Sequence, residues 1–552
     1  MKMKSGLVFL LMVLLALLFG CITIDRDPSA APSVVGGTGT GTGTGTSTGG
    51  GTTPGGAPSP RTPAAPATPR VIDYDLSKGY LTYKEFGAVG DGKTNDFDAI
   101  IDTHNMANRH GLKVKADQGF TYYIAAEAKT ARIQTDTDWT GAEFIIDDYN
   151  GPRGSSGWRD SWVFEVQSAE QRRTISSVTS LTKGQTKLNL ELPFPALIVA
   201  QDVRVRHFIR SGPDQNSGFP QTDVFMIDRN GNVDPSAPII WDFARVSSMI
   251  AYPIDENVLT LTGGTFTTMA NSIPRLHNYM SRGIRIIRSN TVIDGLVHYV
   301  THEGPQSEPY HGFIFVENSA NVTLQNSTLT GRRYYYMGTY DLQANRTINF
   351  SVINCDQTND ISDRTWWGIM ASNYSKNILY DGVKFSRFDA HMGVYNTTII
   401  NSELGYHGVA VVGSGLLRIE NTKVHGRTFL HLRGDYGAFW EGEAIIRNCT
   451  LVMVPSNFNY GNIILAVNKG NHNYGFETFM PDPITIDGFY VDETNASPNY
   501  QGNFLIWGEN DGSFERFPYR LTRTIYISGY RSAKDLIMPN DYFERQITVV
   551  RR

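Results

Sequence analysis

One pattern recurs through the second half of the chain: a short β-rich run, then Asn or Asp, then a small residue. Its instances are VIDG (292–295), LQNS (324–327), VINC (352–355), LYDG (379–382), IINS (399–402), IENT (419–422), IRNC (446–449) and TIDG (485–488). The steps between successive Asn or Asp residues are 32, 28, 27, 20, 20, 27 and 39 residues, so the strand and its turn are constant while the loops vary. Short strands that end at turn formers predict repeated strands rather than helices. We therefore expect an all-β solenoid, a right-handed parallel β-helix whose turns use Asn and Gly for left-handed or tight bends.

The composition excludes several other classes of protein. Of the 552 residues, 40% are hydrophobic, 19% are charged and 11% are aromatic. This balance excludes a coiled coil, a highly charged disordered protein and a polytopic membrane protein. The formal net charge of −5 gives no reason to expect nucleic acid as a partner. Cys355 and Cys449 fall four coils apart, about 19 Å, which is too far for a disulfide, so we expect two buried thiols.

The N-terminus has the features of an export signal. Lys2 and Lys4 precede an apolar run over 7–19. The run ends in Leu-Phe-Gly-Cys, which resembles the lipobox of prokaryotic lipoproteins. The resemblance implies a lipoprotein-type signal peptide over 1–21, a lipid on Cys21 and attachment to a membrane. A plain signal peptide and an uncleaved anchor are the alternatives, and all three place the rest of the chain outside the cell, on its surface or secreted.

Residues 22–70 differ sharply from the rest of the chain. They are rich in Gly, Thr and Pro, and include the run GTGTGTGTGTSTGGG. Because the segment has too few apolar residues to offset the entropy of ordering, we expect a disordered tether. Residues 71–552 then form the β-helix. Around 170–265 the pattern is less regular, and we expect a β-rich excursion that forms one wall of a groove.

The segment 83–101 reads YKEFGAVGDGKTNDFDAII and resembles the opening segment of the pectate-lyase superfamily of β-helix proteins. In that superfamily a strand, a Gly-rich turn and a short helix close the N-terminal end of the solenoid. The residues here agree, since Asn95 can cap a helix, Asp96 and Asp98 lie in its first turn and Gly111 can end it. The resemblance therefore implies a short capping helix over the first coil.

A second repeated feature is an aromatic residue or histidine, then Gly, then an apolar strand. The examples are Tyr310-His311-Gly312-Phe313, Tyr336-Met337-Gly338, Trp366-Trp367-Gly368-Ile369, His391-Met392-Gly393-Val394 and Tyr406-His407-Gly408-Val409. Equivalent positions on successive coils stack about 4.8 Å apart. We therefore expect these positions to form a column on one face, with the rings of His391 and His407 roughly 5–10 Å apart.

Side chains that can transfer protons or bind sugars are frequent in this column and beside it. We predict catalytic roles for His391, His407, Tyr406, Asp389 and Arg433. We predict substrate binding by Tyr310, His311, Tyr336, Arg364, Trp366, Trp367, His431 and Asp435. Histidine and tyrosine suit proton transfer near neutral pH, arginine neutralises a carboxylate, and exposed aromatic rings stack on sugars. The alternative is that the aromatic residues pack the strands and each histidine is a hydrogen-bonded surface residue.

Two local resemblances point to different reactions. Asp389-Ala390-His391 resembles the Y-x-x-D-P-H element of mannuronan C5-epimerases, with Ala in place of Pro. The segment 405–408, Gly-Tyr-His-Gly, resembles the G-H-G element of polygalacturonases, although the aspartates that those hydrolases require are absent. The first resemblance implies abstraction of a uronate C5 proton, and the second implies hydrolysis of a uronate polymer.

Together these features predict a polysaccharide lyase that cleaves a uronate-containing acidic polysaccharide by β-elimination. His391 or His407 would remove the C5 proton, Tyr406 would protonate the leaving oxygen, and Arg433 or Arg364 would offset the uronate charge.

Three alternatives remain open. One is a glycoside hydrolase that pairs Asp389 with Asp435 or Glu441, because inverting hydrolysis needs two carboxyl groups. The others are a C5-epimerase and a non-catalytic, glycan-binding adhesin. We expect a monomer. Calcium is an alternative cofactor, with Asp356, Asp360 and Asp363 as its candidate ligands, although these residues also suit shaping the loop that carries them.

Overall fold

The protein is a right-handed parallel β-helix. The computed structural model describes residues 74–552 except 154–155, 213–214, 275–278, 306, 334–338, 369, 456–457, 509–515 and 540–545. The predicted signal peptide with Cys21, the predicted tether and Tyr336 lie outside the described residues. The strand at Trp366 is described but the side chain of Trp366 is not.

Parallel strand pairing runs along the molecule in three continuous stacks, which are the three sheets of the solenoid. The first sheet contains Tyr80–Thr82, Lys113–Lys115, Thr137–Asp138, Leu259–Thr262, Thr291–Asp294, Ala320–Gln325, Ile348–Ile353, Lys376–Asp381, Thr524–Ser528 and Thr548–Arg551. The second contains Asp91–Asn95, Thr121–Ala125, Glu143–Asp147, Thr265–Met269, Val297–Thr301, Thr328–Leu329, Asp356–Gln357 and Lys423–Gly426. The third contains Ala131–Ile133, Phe164–Gln167, Ile284–Ile287, Ile314–Glu317, Leu342–Asn345, Met370–Asn373, Thr428–Leu432, Tyr460–Ala466 and Gly502–Trp507.

Four long strands continue from one sheet into the next. Lys384–Ile400 and Glu403–Glu420 each contribute to all three sheets, and Ala444–Met453 and Ile484–Asp492 each contribute to the first and second. Trp440–Glu441 pairs with the second of these strands. The small remaining pairs are Arg332–Arg333 with Trp366–Gly368 and Thr478–Phe479 with Tyr519–Arg520. Short 3₁₀ turns occur at Leu76–Lys78, Lys84–Phe86, Gly157–Asp160 and Gly434–Tyr436.

The recurring Asn or Asp pattern marks the turn from the first sheet to the second. Its left-handed residue is Asn at 326, 354, 401, 421 and 448, with φ between 49° and 52°. Where the sequence reads Asp-Gly, the glycine takes this conformation instead, as at Gly295, Gly382 and Gly488. The predicted reason for Asn and Gly in these turns is therefore confirmed, because left-handed backbone costs other residues roughly 1–2 kcal/mol.

A second asparagine ladder stabilises the turn from the third sheet to the first. Asn290, Asn321, Asn349, Asn377 and Asn396 all have positive φ. Each amide from Asn321 onward donates to the side-chain oxygen of the asparagine on the preceding coil, at 2.8–3.0 Å. The sequence analysis missed this ladder, although each of its members stands five residues before the left-handed residue of the following turn.

One α-helix, Phe97–His110, covers the N-terminal end of the solenoid. It buries Ile100 and Ala107 against the first coils and ends at Gly111, whose φ is 65°. The prediction that Asn95 caps this helix is confirmed in part. The side-chain oxygen of Asn95 accepts the backbone N–H of Phe97 at 3.3 Å, but the N-cap position belongs to Asp96, whose carboxylate accepts the backbone N–H groups of Val89 and Gly90.

An antiparallel sheet interrupts the solenoid between Gln167 and Leu259. Its strands are Arg173–Thr174, Ala196–His207, Phe219–Ile227 and Ser248–Pro253, within the segment predicted as an excursion. Cys355 and Cys449 are buried free thiols, as expected. Within the described part of the chain, no helix combines the length and apolar character needed to cross a membrane.

Candidate functional site

Three successive coils lack the loop that elsewhere separates the second sheet from the third. Lys384–Ile400 and Glu403–Glu420 run through this corner as continuous strands, and on the next coil only Arg427 separates Lys423–Gly426 from Thr428–Leu432. Loops follow Gln357 on the preceding coil and Met453 on the following coil, so the three bare coils leave a gap between them. The two 20-residue steps of the sequence repeat correspond to the first two of these coils. The shortest steps in the pattern therefore mark the place where the solenoid surface is least covered.

The antiparallel excursion covers the opposite corner of the same coils. Phe208 and Phe219 from the excursion pack against Met392 and Tyr436 of the solenoid. Further along, Lys376 forms a buried ion pair of 2.7 Å with Asp223 of the excursion. The outward face of the third sheet thus lies between the excursion and the loops of the second corner. We call this face the groove.

Alternating side chains of the third sheet form the floor of the groove. On strand Lys384–Ile400, Phe388 and Ala390 belong to the core, so Arg387, Asp389 and His391 point outward. Asp389 pairs in register with Ala410, and Ala410 pairs with His431 on the next coil. Asp389 and His431 therefore lie on one line of the floor, two coils apart, separated only by the methyl group of an alanine.

A network of arginines and aspartates, which we call the arginine cluster, occupies this floor. Its members are Arg210, Arg387, Asp389, Arg433 and Asp435. The guanidinium of Arg433 donates to both oxygens of Asp389 at 3.1 Å and to Asp435 at 2.6 and 3.1 Å. Arg387 contacts Asp389 at 2.7 Å, and Arg210 reaches Asp435 from the excursion at 2.8 Å. Asp389 is completely buried, whereas the Asp435 side chain is 22% exposed.

Both aspartates of the arginine cluster stay ionised. Burial alone would raise the pKa of Asp389, but the charges of Arg387 and Arg433 outweigh burial and lower it. For Asp435, the charges of Arg433 and Arg210 likewise overcome burial and lower the pKa. A general acid in glycoside hydrolysis needs a raised pKa so that it holds its proton near neutral pH. Neither aspartate can therefore serve as this acid. The third carboxylate of the hydrolase alternative, that of Glu441, forms an ion pair with Lys183 at 2.9 Å.

Two of the candidate histidines flank the cluster. His391 is 4% exposed, donates from Nδ1 to the side-chain oxygen of Asn373 at 2.8 Å, and packs edge-on to Tyr436. His431 is half-buried, and burial together with the charge of Arg433 lowers its pKa to about 4. His431 is therefore neutral at pH 7, which keeps it from adding positive charge to the cluster.

A second group of predicted residues meets at the gap, and we call it the corner group: Arg364, Trp367, Tyr406 and His407. The rings of Tyr406 and His407 are 5.5 Å apart between centroids, and both side chains are half-buried. The guanidinium of Arg364 lies 4.6 Å from the Tyr406 ring and also donates to the carbonyl of Pro455. Arg364 thus links the loops on either side of the gap.

The glycine of the Gly-Tyr-His-Gly segment permits this arrangement. The backbone N–H of Tyr406 donates to the carbonyl of Ile361 on the preceding coil at 3.2 Å. A Cβ atom on Gly405 would meet that carbonyl oxygen at 1.7 Å. Only glycine allows the two backbones to approach so closely. The approach fixes Tyr406 and His407 beside the loop that carries Arg364.

The predicted histidine column was wrong. Gly408 pairs with Arg387, and Val411 pairs with Ala390. His407 therefore lies at the beginning of the third-sheet segment and His391 four to five residues further along, a backbone separation of about 13–16 Å. Two differences separate them. His391 stands nine residues after the left-handed turn residue Gly382, whereas His407 stands six residues after Asn401, and a register shift between Phe385 and Arg387 adds two residues to this offset. The two histidines belong to different groups.

Other predicted binding residues are structural. Trp367 is 1% exposed, between the guanidinium of Arg387 at 4.6 Å and the ring of His407 at 5.6 Å, so it cannot stack on a sugar as predicted. Tyr310 is also buried, and its hydroxyl accepts the backbone N–H of Asn271. His311 is half-buried and stacks on Tyr279 at 5.0 Å.

The candidate calcium ligands do not gather into one site. Asp360 and Asp363 accept backbone N–H groups of Ser362 and Thr365 within their own loop, and Asp356 accepts the hydroxyl of Thr328. Over the described residues, no group of three or more His, Cys, Asp or Glu side chains is placed to hold a metal ion. These aspartates shape the loop, as the alternative interpretation proposed.

Sequence reasoning missed two members of the arginine cluster. Arg387 could have been found, because it stands two residues before Asp389 and four before His391, a spacing that places all three on one face of a strand. Arg210 could not have been found, because it arrives from the excursion, 225 residues before its partner Asp435. A contact between residues so far apart in the chain leaves no local sequence pattern.

Comparison with known proteins finds sequence similarity over only part of this chain. No protein-family model matches the chain. The depolymerase of Klebsiella phage P510, described as specific for capsule KL64, is 27% identical over 157 aligned residues. The alignment covers 24% of this chain and 15% of the phage protein, so the chain corresponds to a small part of that relative.

Two solved structures resemble the protein over most of its length. The tailspike gp61 of Pseudomonas phage phi297 gives a TM-score of 0.51 at 11% identity, with 85% of this chain and 84% of the tailspike covered. The tailspike gp54 of Acinetobacter baumannii bacteriophage AP22, solved with a capsular saccharide, gives 0.50 at 10% identity, with 86% and 80% covered. At these identities the likeness concerns the fold, and the chain shares the long parallel β-helix of these two tailspikes.

Proposed function

We propose that this protein is an extracellular polysaccharide lyase that cleaves a uronate-containing acidic polysaccharide in the groove. The observation that carries the proposal is the corner group at the gap. There a histidine and a tyrosine, half-buried and in contact, lie beside an arginine at the least covered part of the solenoid. β-Elimination needs a base for the C5 proton, an acid for the leaving oxygen and a cation for the uronate.

The residues of the corner group fit these roles. His407 takes the C5 proton, and the hydroxyl of Tyr406 returns a proton to the leaving O4, so that the C4–O4 bond breaks as the C4–C5 double bond forms. Arg364 offsets the charge that develops on the uronate carboxylate. Trp367 and Arg387 pack behind His407 and hold its ring in place. Asp389 is too deeply buried and too firmly ion-paired to act on substrate directly.

The arginine cluster supports an acidic substrate. Its three guanidinium groups and two carboxylates leave one positive charge on the groove floor, while His431 is neutral. One unbalanced positive charge beneath the groove attracts a polymer carboxylate. Because the three guanidinium side chains are only 2–5% exposed, we assign the cluster to electrostatic attraction of the polymer and to holding the groove floor, rather than to direct contact with a uronate or to bond cleavage.

One further observation favours a depolymerase over an adhesin. The relative from Klebsiella phage P510 is named a capsule depolymerase. A lyase is favoured over a hydrolase because both cluster aspartates have lowered pKa values. A C5-epimerase would use the same proton abstraction and differs only in returning the proton to C5. Lipidation of Cys21, which would hold the enzyme at the cell surface, and a monomeric state without a required metal belong to the same proposal.

A panel of polysaccharides tests the proposal. The panel comprises alginate, polygalacturonate, hyaluronate, heparan sulfate and the purified capsules of Klebsiella and Acinetobacter strains. A lyase produces an unsaturated uronate with a strong ultraviolet absorbance, together with new reducing ends. New reducing ends without that absorbance would establish hydrolysis and refute elimination. Binding without new ends would establish an adhesin, and deuterium uptake at C5 from heavy water without new ends would establish an epimerase.

A further inference from the structure

Arg427 lies on the third bare coil, directly beside the corner group. It is the single residue between strands Lys423–Gly426 and Thr428–Leu432. Both strands pair in parallel with the preceding coil, so the tyrosine and histidine of the corner group lie opposite Arg427, about 4.8 Å away between backbones. The coils are close here, because a Cβ atom on Gly426 would lie 3.3 Å from the carbonyl oxygen of Tyr406.

The guanidinium of Arg427 has an aromatic ring and a carbonyl as neighbours, but no carboxylate. It lies 3.9 Å from the centroid of the Phe458 ring, and its Nε donates to the carbonyl of Tyr460 at 2.9 Å. Burial lowers the pKa of Arg427, and the neighbour whose charge opposes this shift is Tyr406. Among the residues that the structure describes, no Asp or Glu forms an ion pair with Arg427.

Other arginines of the protein are balanced where they leave water. Within the described ranges, each buried arginine pairs with a carboxylate, namely Arg210, Arg282, Arg288, Arg332, Arg387 and Arg433. Arg427 is half-buried, and a partly desolvated cation without a counterion costs free energy. An anionic ligand would supply that counterion, because the paired N–H groups of a guanidinium match the two oxygens of a carboxylate.

The corner therefore has two arginines without a carboxylate partner. Arg364 lies 4.6 Å from the Tyr406 ring and donates to the carbonyl of Pro455, and over the described part of the chain it also forms no ion pair. A reacting uronate brings one negative charge, which Arg364 offsets, so Arg427 is left for another acidic group. The arginine cluster cannot provide this contact, since its guanidinium groups are buried beneath the groove floor.

We propose that Arg427 binds a second carboxylate, that of the uronate next to the reacting one, so that the preferred substrate carries uronates on consecutive sugar rings. This inference rests on the proposed function of the groove. Arg364 holds the reacting uronate from the loop before the gap, and Arg427, on the coil after His407, holds its neighbour. Phe458, which is 39% exposed, lies against the guanidinium and restricts its motion.

The experiment measures kcat and KM on oligosaccharides of equal length from two classes of polymer. Polygalacturonate and alginate carry uronates on consecutive rings, whereas in hyaluronate a neutral sugar separates the uronates. We expect the wild type to prefer the first class. Arg427→Gln should raise KM on that class by about 10- to 100-fold, the worth of hydrogen bonds to a charged group, with little change in kcat. On hyaluronate oligosaccharides the same substitution should change KM little.

Two further variants serve as controls. Arg552 also lies against an aromatic ring, that of Tyr526 at 4.2 Å, but on the first sheet and away from the groove, so Arg552→Gln should leave KM unchanged on both classes. Arg427→Lys keeps the charge but loses the paired N–H groups, and should raise KM less than Arg427→Gln does. It replaces Arg427→Gln in the test if that variant fails to fold.

The outcomes separate this inference from the proposed function. An unchanged KM on consecutive uronates in the folded Arg427 variant overturns the second carboxylate contact and leaves the lyase proposal intact. Cleavage confined to polymers whose uronates are separated by neutral sugars does the same. A loss of kcat at constant KM would place Arg427 in the reaction step instead of in binding, and would also overturn the inference. Failure of the wild type to cleave any acidic polymer overturns the function of the groove and, with it, this inference.

Discussion

Replacing Arg433 with Met removes a guanidinium shared by two carboxylates, and we expect a large loss of stability. The Arg433 side chain is 5% exposed, and Asp389 beneath it is completely buried. In the variant, Asp389 keeps Arg387 as a partner but loses its bidentate contact with Arg433. Asp435 keeps Arg210 but loses its shortest contact, the one with Arg433 at 2.6 Å. Removal of one partner from a buried ion pair costs about 3–5 kcal/mol, because the remaining charge has no compensating hydration.

An exposed arginine with the same connectivity provides the control. Arg447 also lies between two carboxylates, Glu420 at 2.7 Å and Asp487 at 3.8 Å, but its side chain is 44% exposed. Arg447→Met should cost at most about 1 kcal/mol, because water replaces the lost contacts of a surface pair. The measurement is the free energy of unfolding from denaturation curves of both variants, followed by tryptophan fluorescence.

The Asp389→Asn change in the Arg433→Met background tests the pair that remains. Because Arg387 would then be buried without its carboxylate, the second substitution should lower the stability further instead of restoring it. A loss below about 1 kcal/mol for Arg433→Met, equal to that of the exposed control, would show that the cluster is hydrated and would refute this reasoning.

Two further predictions follow from burial. Trp367→Ala should cost about 3–5 kcal/mol of stability, because the ring is packed in the structure rather than exposed to substrate; a stable variant with weakened saccharide binding would contradict this. Burial lowers the pKa of His207 to about 4 and that of His104 to about 3, while both protonate near 6.5 in the unfolded chain. Stability should therefore fall as the pH drops below about 6.5, by about 2 kcal/mol per histidine at pH 5, and His207→Phe should remove its share of that pH dependence.

The fold was predictable because its turns have a strict chemical requirement. Each coil needs a left-handed residue between the first and second sheets, and only Asn and Gly meet that need cheaply, so Asn354 and Asn421 could be recognised from sequence. The variable steps did not obscure the pattern, since loops of different length leave the strand and turn unchanged. The helix at Phe97–His110 was recognisable for a similar reason, although the capping residue was misplaced by one position.

The candidate site was predictable only in part, because the strand register decides which side chains lie together. His391 and His407 both closely precede a glycine, yet they stand at different distances from the turn residues Gly382 and Asn401, and a two-residue register shift at the corner separates them further along the strand. Burial was equally hidden, since Trp367 has the sequence features of an exposed platform but lies beneath Arg387. The arrival of Arg210 from the excursion depends on a packing of two sheets that no local spacing encodes.

The most direct test of the central claim compares His407→Asn with His110→Asn on whichever acidic polysaccharide the wild type cleaves. His110 is exposed and ends the helix Phe97–His110, which covers the N-terminal end of the solenoid away from the groove. The measurement is the initial rate of unsaturated uronate formation, with the melting temperature of each variant as a check on folding. We expect His407→Asn to lower kcat by about 10²–10⁴ and His110→Asn to leave it unchanged. Full activity in folded His407→Asn would contradict the assignment of the corner group as the site of elimination.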